Sequence, residues 1–143
     1  MLKVVKCEEE KRAQVVAFIR KAQPDFEPDL DVLARSILII DMENIVGMVS
    51  YGKHDNMGII RYFLYDACLT GTDLIVQLFF ELYRQAYSEG VTRLVAGIPT
   101  ASVKHLFELL GFTTFDHELP PTLKELLSEK SEVMTINLET SFS

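Results

Sequence analysis

Cysteine is scarce in this chain, with only Cys7 and Cys68 in 143 residues. Two thiols without metal-ligand spacing make neither a zinc site nor the disulfide framework of a small secreted domain, so reduced thiols and a cytoplasmic location are expected. Neither has a sequence-adjacent partner to activate it as a nucleophile. Long apolar runs are also missing. None approaches the roughly 20 residues of a membrane span, and the opening MLKVVKCEEEKR puts charge where a signal peptide needs its apolar region. A basic excess is absent too: 14 Lys and Arg stand against 21 Asp and Glu, a net charge of −7 without a basic cluster. Neutralising phosphates is the main source of nucleic-acid affinity, so nucleic acid is not an expected partner. There is no Gly-rich nucleotide loop and no serine nucleophile elbow. The cluster Asp116-His117-Glu118 has no spacing diagnostic of a metal and reads as a solvated strand end, so no metal site is expected.

With 48% apolar and 24% charged residues, the chain has ordinary globular composition and reads as one domain over residues 1–143. Leu2 to Lys6 reads as a strand. Glu8 to Ala22 reads as a helix with acids at its start, basic residues near its end and an apolar stripe at Val15, Val16 and Ile19. A shorter helix is expected from Pro28, carrying Leu30, Leu33 and Ala34. Three strands follow at Ile37 to Ile40, Ile45 to Tyr51 and Met57 to Tyr65, with connections short enough to force an antiparallel meander.

The clearest helix runs from Thr72 or Asp73 to Glu89. Ile75, Leu78, Phe79, Leu82, Tyr83 and Ala86 fill one face, Gln77, Glu81, Arg84, Gln85 and Ser88 the other, and Gly90 stands at the stop position. Arg93 to Ile98 is then a strand parallel to the one before the helix. Ser102 is the expected cap of the next helix, whose buried stripe is Val103, Leu106, Phe107 and Leu110, with Gly111 ending it. Strands are expected at Phe112 to His117 and Val133 to Leu138, around a short helix from Pro121 to Lys130. Its Leu123, Leu126 and Leu127 are candidates for self-association, that is, a homodimer.

This order, together with the glycine turn before a long amphipathic helix and the ending Phe107-Glu108-Leu109-Leu110-Gly111-Phe112, resembles the GNAT (N-acetyltransferase) superfamily over nearly the whole chain. The resemblance implies an α/β fold, with a mixed, mostly antiparallel sheet of six to seven strands flanked by helices on both faces. It also implies acetyl-CoA or another acyl-CoA as cosubstrate, and transfer of its acyl group to a small-molecule or peptide amine.

In the family the turn before the long helix carries Q/R-x-x-G-x-G/A, because backbone N–H groups and the positive helix end cradle the coenzyme A pyrophosphate. Here that turn is Thr70-Gly71-Thr72-Asp73-Leu74-Ile75: Thr70 replaces the Gln/Arg, Asp73 the middle Gly and Ile75 the last Gly or Ala. A carboxylate about 5 Å from a pyrophosphate charge repels it by roughly 3 kcal/mol at an effective dielectric of about 20. Phe107 occupies the position where many members carry a proton-donating tyrosine, and it also reads as a core residue.

The resemblance makes Leu64, Tyr65, Thr70, Gly71, Thr72 and Asp73 the cofactor-binding candidates, with Asp66 beside Leu64 and Tyr65 as a third source of backbone N–H groups for the thioester carbonyl. Asp66 and Glu43 are candidate bases, and Tyr62 and Tyr65 candidate acids. Two functions are carried forward: an acyl-CoA-dependent N-acyltransferase with a divergent pyrophosphate turn, and a catalytically inactive GNAT-like domain that binds a protein or ligand.

Overall fold

A computed structural model describes residues 2–66, 69, 73–115, 121 and 132–139. The elements run in the order β1 (Leu2–Lys6), α1 (Arg12–Ala22), α2 (Leu30–Ala34), β2 (Ser36–Asp41), β3 (Asn44–His54) and β4 (Met57–Tyr65). Then come α3 (Asp73–Ser88), β5 (Arg93–Ile98), α4 (Ala101–Leu109), β6 (Thr113–Thr114) and β7 (Glu132–Asn137). The strands form a seven-stranded, mostly antiparallel sheet in the order β1-β2-β3-β4-β5-β7-β6. The chain divides into two compact units, Met1–Gly52 with Arg61–Gln85 and Lys53–Ile60 with Ala86–Ser143.

In the first unit the apolar run of β2 is buried on both faces, which is why it does not alternate with polar residues. Leu38 and Ile40 join Met48 of β3 and Val15, Phe18 and Ile19 of α1 in one core layer, with Leu33 of α2 and the half-buried Tyr62 and Leu64 of β4. The intervening residues of β4 face the other way: the Phe63 ring meets Phe79 of α3 edge-on, 5.0 Å between centroids. Helix α3 buries Ile75, Leu78, Phe79, Leu82, Tyr83 and Ala86, the face its 3.6-residue periodicity predicts. Fully burying side chains of this size contributes about 1.5–3 kcal/mol each.

In the second unit β4 pairs with β5 in parallel, at Met57–Ile59 against Arg93–Val95. Strand β5 continues antiparallel to β7 from Arg93↔Asn137 to Ile98↔Glu132. The Thr92 N–H donates to the Asn56 carbonyl at 2.8 Å, and the Leu138 N–H donates to that of Thr92 at 2.8 Å, tying the two ladders together at the start of β5. Gly90 and Gly111 follow α3 and α4 at φ 88 and 97, a conformation that side chains rarely adopt. Phe107 is buried, its ring 4.9 Å from that of Phe112, so its core role holds.

Several element boundaries depart from the sequence expectation for local reasons. The first helix is preceded by a 3-10 turn at Glu9–Lys11, closed by the Lys11 N–H on the Glu8 carbonyl at 2.9 Å, and α geometry starts at Arg12. Helix α2 begins at Leu30 rather than Pro28, because the Asp29 carboxylate accepts from the N–H groups of Asp31 and Val32. Thr100, not Ser102, caps α4: its hydroxyl accepts from the Val103 N–H at 3.3 Å while its own backbone is extended. The strand expected from Phe112 shortens to Thr113–Thr114, since Phe112 turns inward to pack on Phe107. The expected helix from Pro121 to Lys130, beyond Pro121 itself, lies outside the described residues, as does the Asp116-His117-Glu118 cluster.

Among the described residues no helix is long and apolar enough to cross a membrane, and no group of three His, Cys, Asp or Glu is placed to hold a metal ion. Cys7 is buried and unpaired by any disulfide; burial pushes its thiol up, against a smaller opposite pull from Arg12.

Two measurements check this architecture. Thr100→Ala should lower unfolding stability by about 1 kcal/mol in urea, whereas Ser102→Ala should leave it nearly unchanged. Burial also pushes the Tyr83 hydroxyl well above its ordinary range. The folded chain then holds a proton that the unfolded chain releases near pH 10. Tyr83 thus gives full stability below about pH 10 and loses it at about 1.4 kcal/mol per pH unit above. Tyr83→Phe should remove that part of the alkaline decline.

Candidate functional site

Strand β4 and the α1–α2 connection build the first cavity. Helix α1 ends where the Gln23 N–H donates to the Ile19 carbonyl, and the chain then turns so that the Phe26 N–H donates to the Gln23 carbonyl at 3.0 Å. The Arg20 guanidinium donates twice to the Phe26 carbonyl, from Nε and Nη2 at 3.3 Å each. Phe26 itself is 5% exposed and meets the Tyr62 ring edge-on, 5.1 Å between centroids. A connection of polar residues is therefore fixed by one buried aromatic anchor. Asp25 and Glu27, on either side of the anchor, are exposed, while Arg61 and Tyr62 are half-buried. Together they line a cavity of about 550 Å³, within the usual range for small-molecule sites. The Arg61 guanidinium lies 5.8 Å from the Tyr62 ring centre.

A second cavity of the same unit, of about 470 Å³, lies between α1, the β2–β3 turn and the end of β4. It brings together Glu43 and Asp66, 23 residues apart in sequence, with Gln14, Lys21 and Asn44. The turn itself is held by Met42 at φ 59. Tyr65 does not join these two carboxylates. It is 50% exposed and its ring stacks at a tilt on Phe63, 5.4 Å away, on the face of β4 opposite Leu64. Leu64 packs into the core beneath α1, so any contact it makes with a ligand comes from its backbone.

The direction of that backbone is fixed by one bond. The Asp66 N–H donates to the Val46 carbonyl of β3 at 2.8 Å. Alternate residues of a strand bond toward the same neighbour, so Leu64 directs its N–H to the β3 side as well. Phe63 and Tyr65 direct theirs to the opposite edge. Phe63 was not among the sequence candidates. The signal was strand parity, which needs a known partner before it can be read.

Beyond β4, the Leu69 N–H donates to the Asp66 carbonyl at 3.0 Å, and the Leu69 side chain closes over Gly47. A Cβ at Gly47 would lie 3.2 Å from Ile39 Cδ1 and 3.3 Å from Leu69 Cδ1, so this close approach depends on glycine. Thr70, Gly71 and Thr72 lie outside the described residues. Asp73 is the exposed first residue of α3, where its carboxylate favours the helix dipole.

No family model matches the sequence, and no curated protein matches it. Solved structures do match. An acetyltransferase of the GNAT family from Staphylococcus aureus superposes with a TM-score of 0.73 at 16% identity, over 96% of this chain and 99% of that one. An acetyltransferase from Streptococcus agalactiae gives 0.68 at 16%, over 95% and 98%. The chain has the GNAT fold. N-acetylglutamate synthase from Neisseria gonorrhoeae, in complex with coenzyme A and N-acetyl-glutamate, gives 0.75 at 15% identity over 96% of this chain. There the chain spans only 35% of the other protein's length.

The anchor of the first cavity can be tested by stability. Phe26→Ala should cost about 3 kcal/mol in urea unfolding, the usual loss for a buried aromatic; a cost below about 1 kcal/mol would mean that the α1–α2 connection is held by something else.

Proposed function

We propose that this chain is an acyl-CoA-dependent N-acyltransferase that takes its amine acceptor in the cavity formed by Phe26, Arg61 and Tyr62. The observation that carries the reading is the direction of β4 set by the Asp66–Val46 bond, which turns the Phe63 and Tyr65 N–H groups to the edge away from β3. Phe63 follows directly on Arg61 and Tyr62, so a carbonyl polarised by its N–H lies next to the cavity. The fold supports it: similar structures are acetyltransferases, and some are complexes with coenzyme A.

When bound, acyl-coenzyme A supplies the activated thioester. The chain's own groups then have two tasks. One of the Phe63 and Tyr65 N–H groups, which stand about 6.6 Å apart along the strand and cannot share one oxygen, stabilises negative charge on the carbonyl oxygen as the amine attacks, a contribution worth about 2.7–4 kcal/mol in comparable sites. Asp25 and Glu27 at the rim accept the ammonium proton through water. Asp66 stands about 13 Å further along the strand direction than Tyr62, by the rise of four residues, and Glu43 lines the same cavity as Asp66, so both lie outside direct reach of an amine at Tyr62.

The fit to coenzyme A is imperfect at the turn before α3, where Thr70, Asp73 and Ile75 replace the family's residues. Asp73 puts a carboxylate at the α3 N-terminus, but its exposure lets solvent screen the repulsion from a pyrophosphate to about 1 kcal/mol. The reading of an inactive binding module rests on Thr70, Asp73 and Ile75 in place of the family's turn residues and on Phe107, which is buried and has no proton to give.

Calorimetry with acetyl-CoA separates the two. The native chain should bind, and Asp73→Gly should tighten binding about fivefold, the equivalent of about 1 kcal/mol. Absence of binding to both proteins would overturn the acyltransferase reading.

A further inference from the structure

The cavity at Phe26 carries a charge pattern that goes beyond the need for an amine. Arg84 pairs with Glu81 at 2.9 Å and Lys104 with Glu132 at 3.0 Å, both on the surface. Among the described residues, Arg61 is one of the cations that make no such pair. It shares a cavity with Asp25 and Glu27, yet among the described residues its guanidinium makes no ion pair with either and instead lies over the Tyr62 ring. A half-buried guanidinium held on an aromatic ring keeps its planar fork of donors pre-oriented for a carboxylate. The two rim carboxylates stand apart from it on the flanks of Phe26, whose carbonyl and ring are both fixed.

Resting on the N-acyltransferase reading, we infer that this cavity selects an amine that also bears a carboxylate, an amino acid, with Arg61 reading the carboxylate and Asp25 and Glu27 the ammonium. A plain amine would bring its positive charge toward Arg61. A plain carboxylate would meet two like charges at the rim. A zwitterion satisfies both ends, so the same residues attract one class and repel the other two. Arg61 acts here as the specificity-determining residue, while proton removal belongs to the carboxylates.

The test uses the full chain without cofactor: calorimetry and thermal shift with a panel of L-amino acids and their carboxamides, which keep the amine but lose the negative charge. Acetyl-CoA alone is titrated in parallel. At least one amino acid should bind about ten- to hundredfold more tightly than its carboxamide, the usual worth of a charge-assisted contact. Arg61→Gln should abolish that ratio, and Arg61→Lys should keep part of it. Because the ratio is taken within each protein, a loss of stability in a variant does not imitate the effect.

Equal binding of acid and carboxamide, or a ratio unchanged in Arg61→Gln, would overturn the inference. Acetyl-CoA binding with no response to the panel would overturn it and leave the acyltransferase reading standing. Amino-acid binding with the expected ratio but without acetyl-CoA binding would support the selectivity and remove the acyltransferase. Failure of both titrations would remove both.

Discussion

The Asp66 amide donates to the Val46 carbonyl, and this bond sets the direction of every backbone group along the end of β4. With that parity fixed, side chains and backbone sort together. Tyr62 and Leu64 face the layer beneath α1, Phe63 and Tyr65 face the other side, and the N–H groups of the latter pair point away from β3. A slip of one residue would exchange the two sets, taking Tyr62 away from Phe26 and Phe63 away from Phe79. The aromatic contacts on the two faces, at 5.1 Å and 5.0 Å, hold the register in place.

Much of the fold was legible in the sequence because the governing forces are local. The two faces of α3 follow from helical period alone, and the structure buries the six residues that period selects. Ile37 to Ile40 was legible as a strand, and the structure buries all four residues. Boundaries were less legible, since capping depends on which hydroxyl or carboxylate the backbone reaches. Thr100 and Ser102 are chemically alike, and only the extended backbone at Thr100 makes it the cap. Asp29 displaced Pro28 as the start of α2 for the same reason.

The candidate site was legible only in part. Glu43 and Asp66 were expected from the resemblance, and folding brings them to one cavity, but Tyr65 turns to the opposite face. Asp25, Glu27 and Arg61 carried no local spacing signal, because a helix connection and a distant strand meet only through tertiary packing. The trace they left is Phe26, an aromatic residue between two acids in an otherwise polar connection. Its burial against Tyr62 and the two hydrogen bonds that Arg20 donates to its carbonyl turn that connection into the wall of a cavity. The divergent turn at Asp73 bears on affinity, and its exposure makes that effect smaller than the spacing alone implies.

The central claim is that the edge of β4 away from β3 receives the acyl carbonyl. The measurement closest to it is a nitrogen–proton correlation NMR titration of the labelled chain with acetyl-CoA, following the backbone amides of β4 one by one. The account predicts that the Phe63 and Tyr65 amides shift most, and that the Asp66 amide, already bonded to Val46, stays nearly still. A titration that moves Asp66 while leaving Phe63 and Tyr65 in place, or that moves none of the three at saturating cofactor, would contradict it.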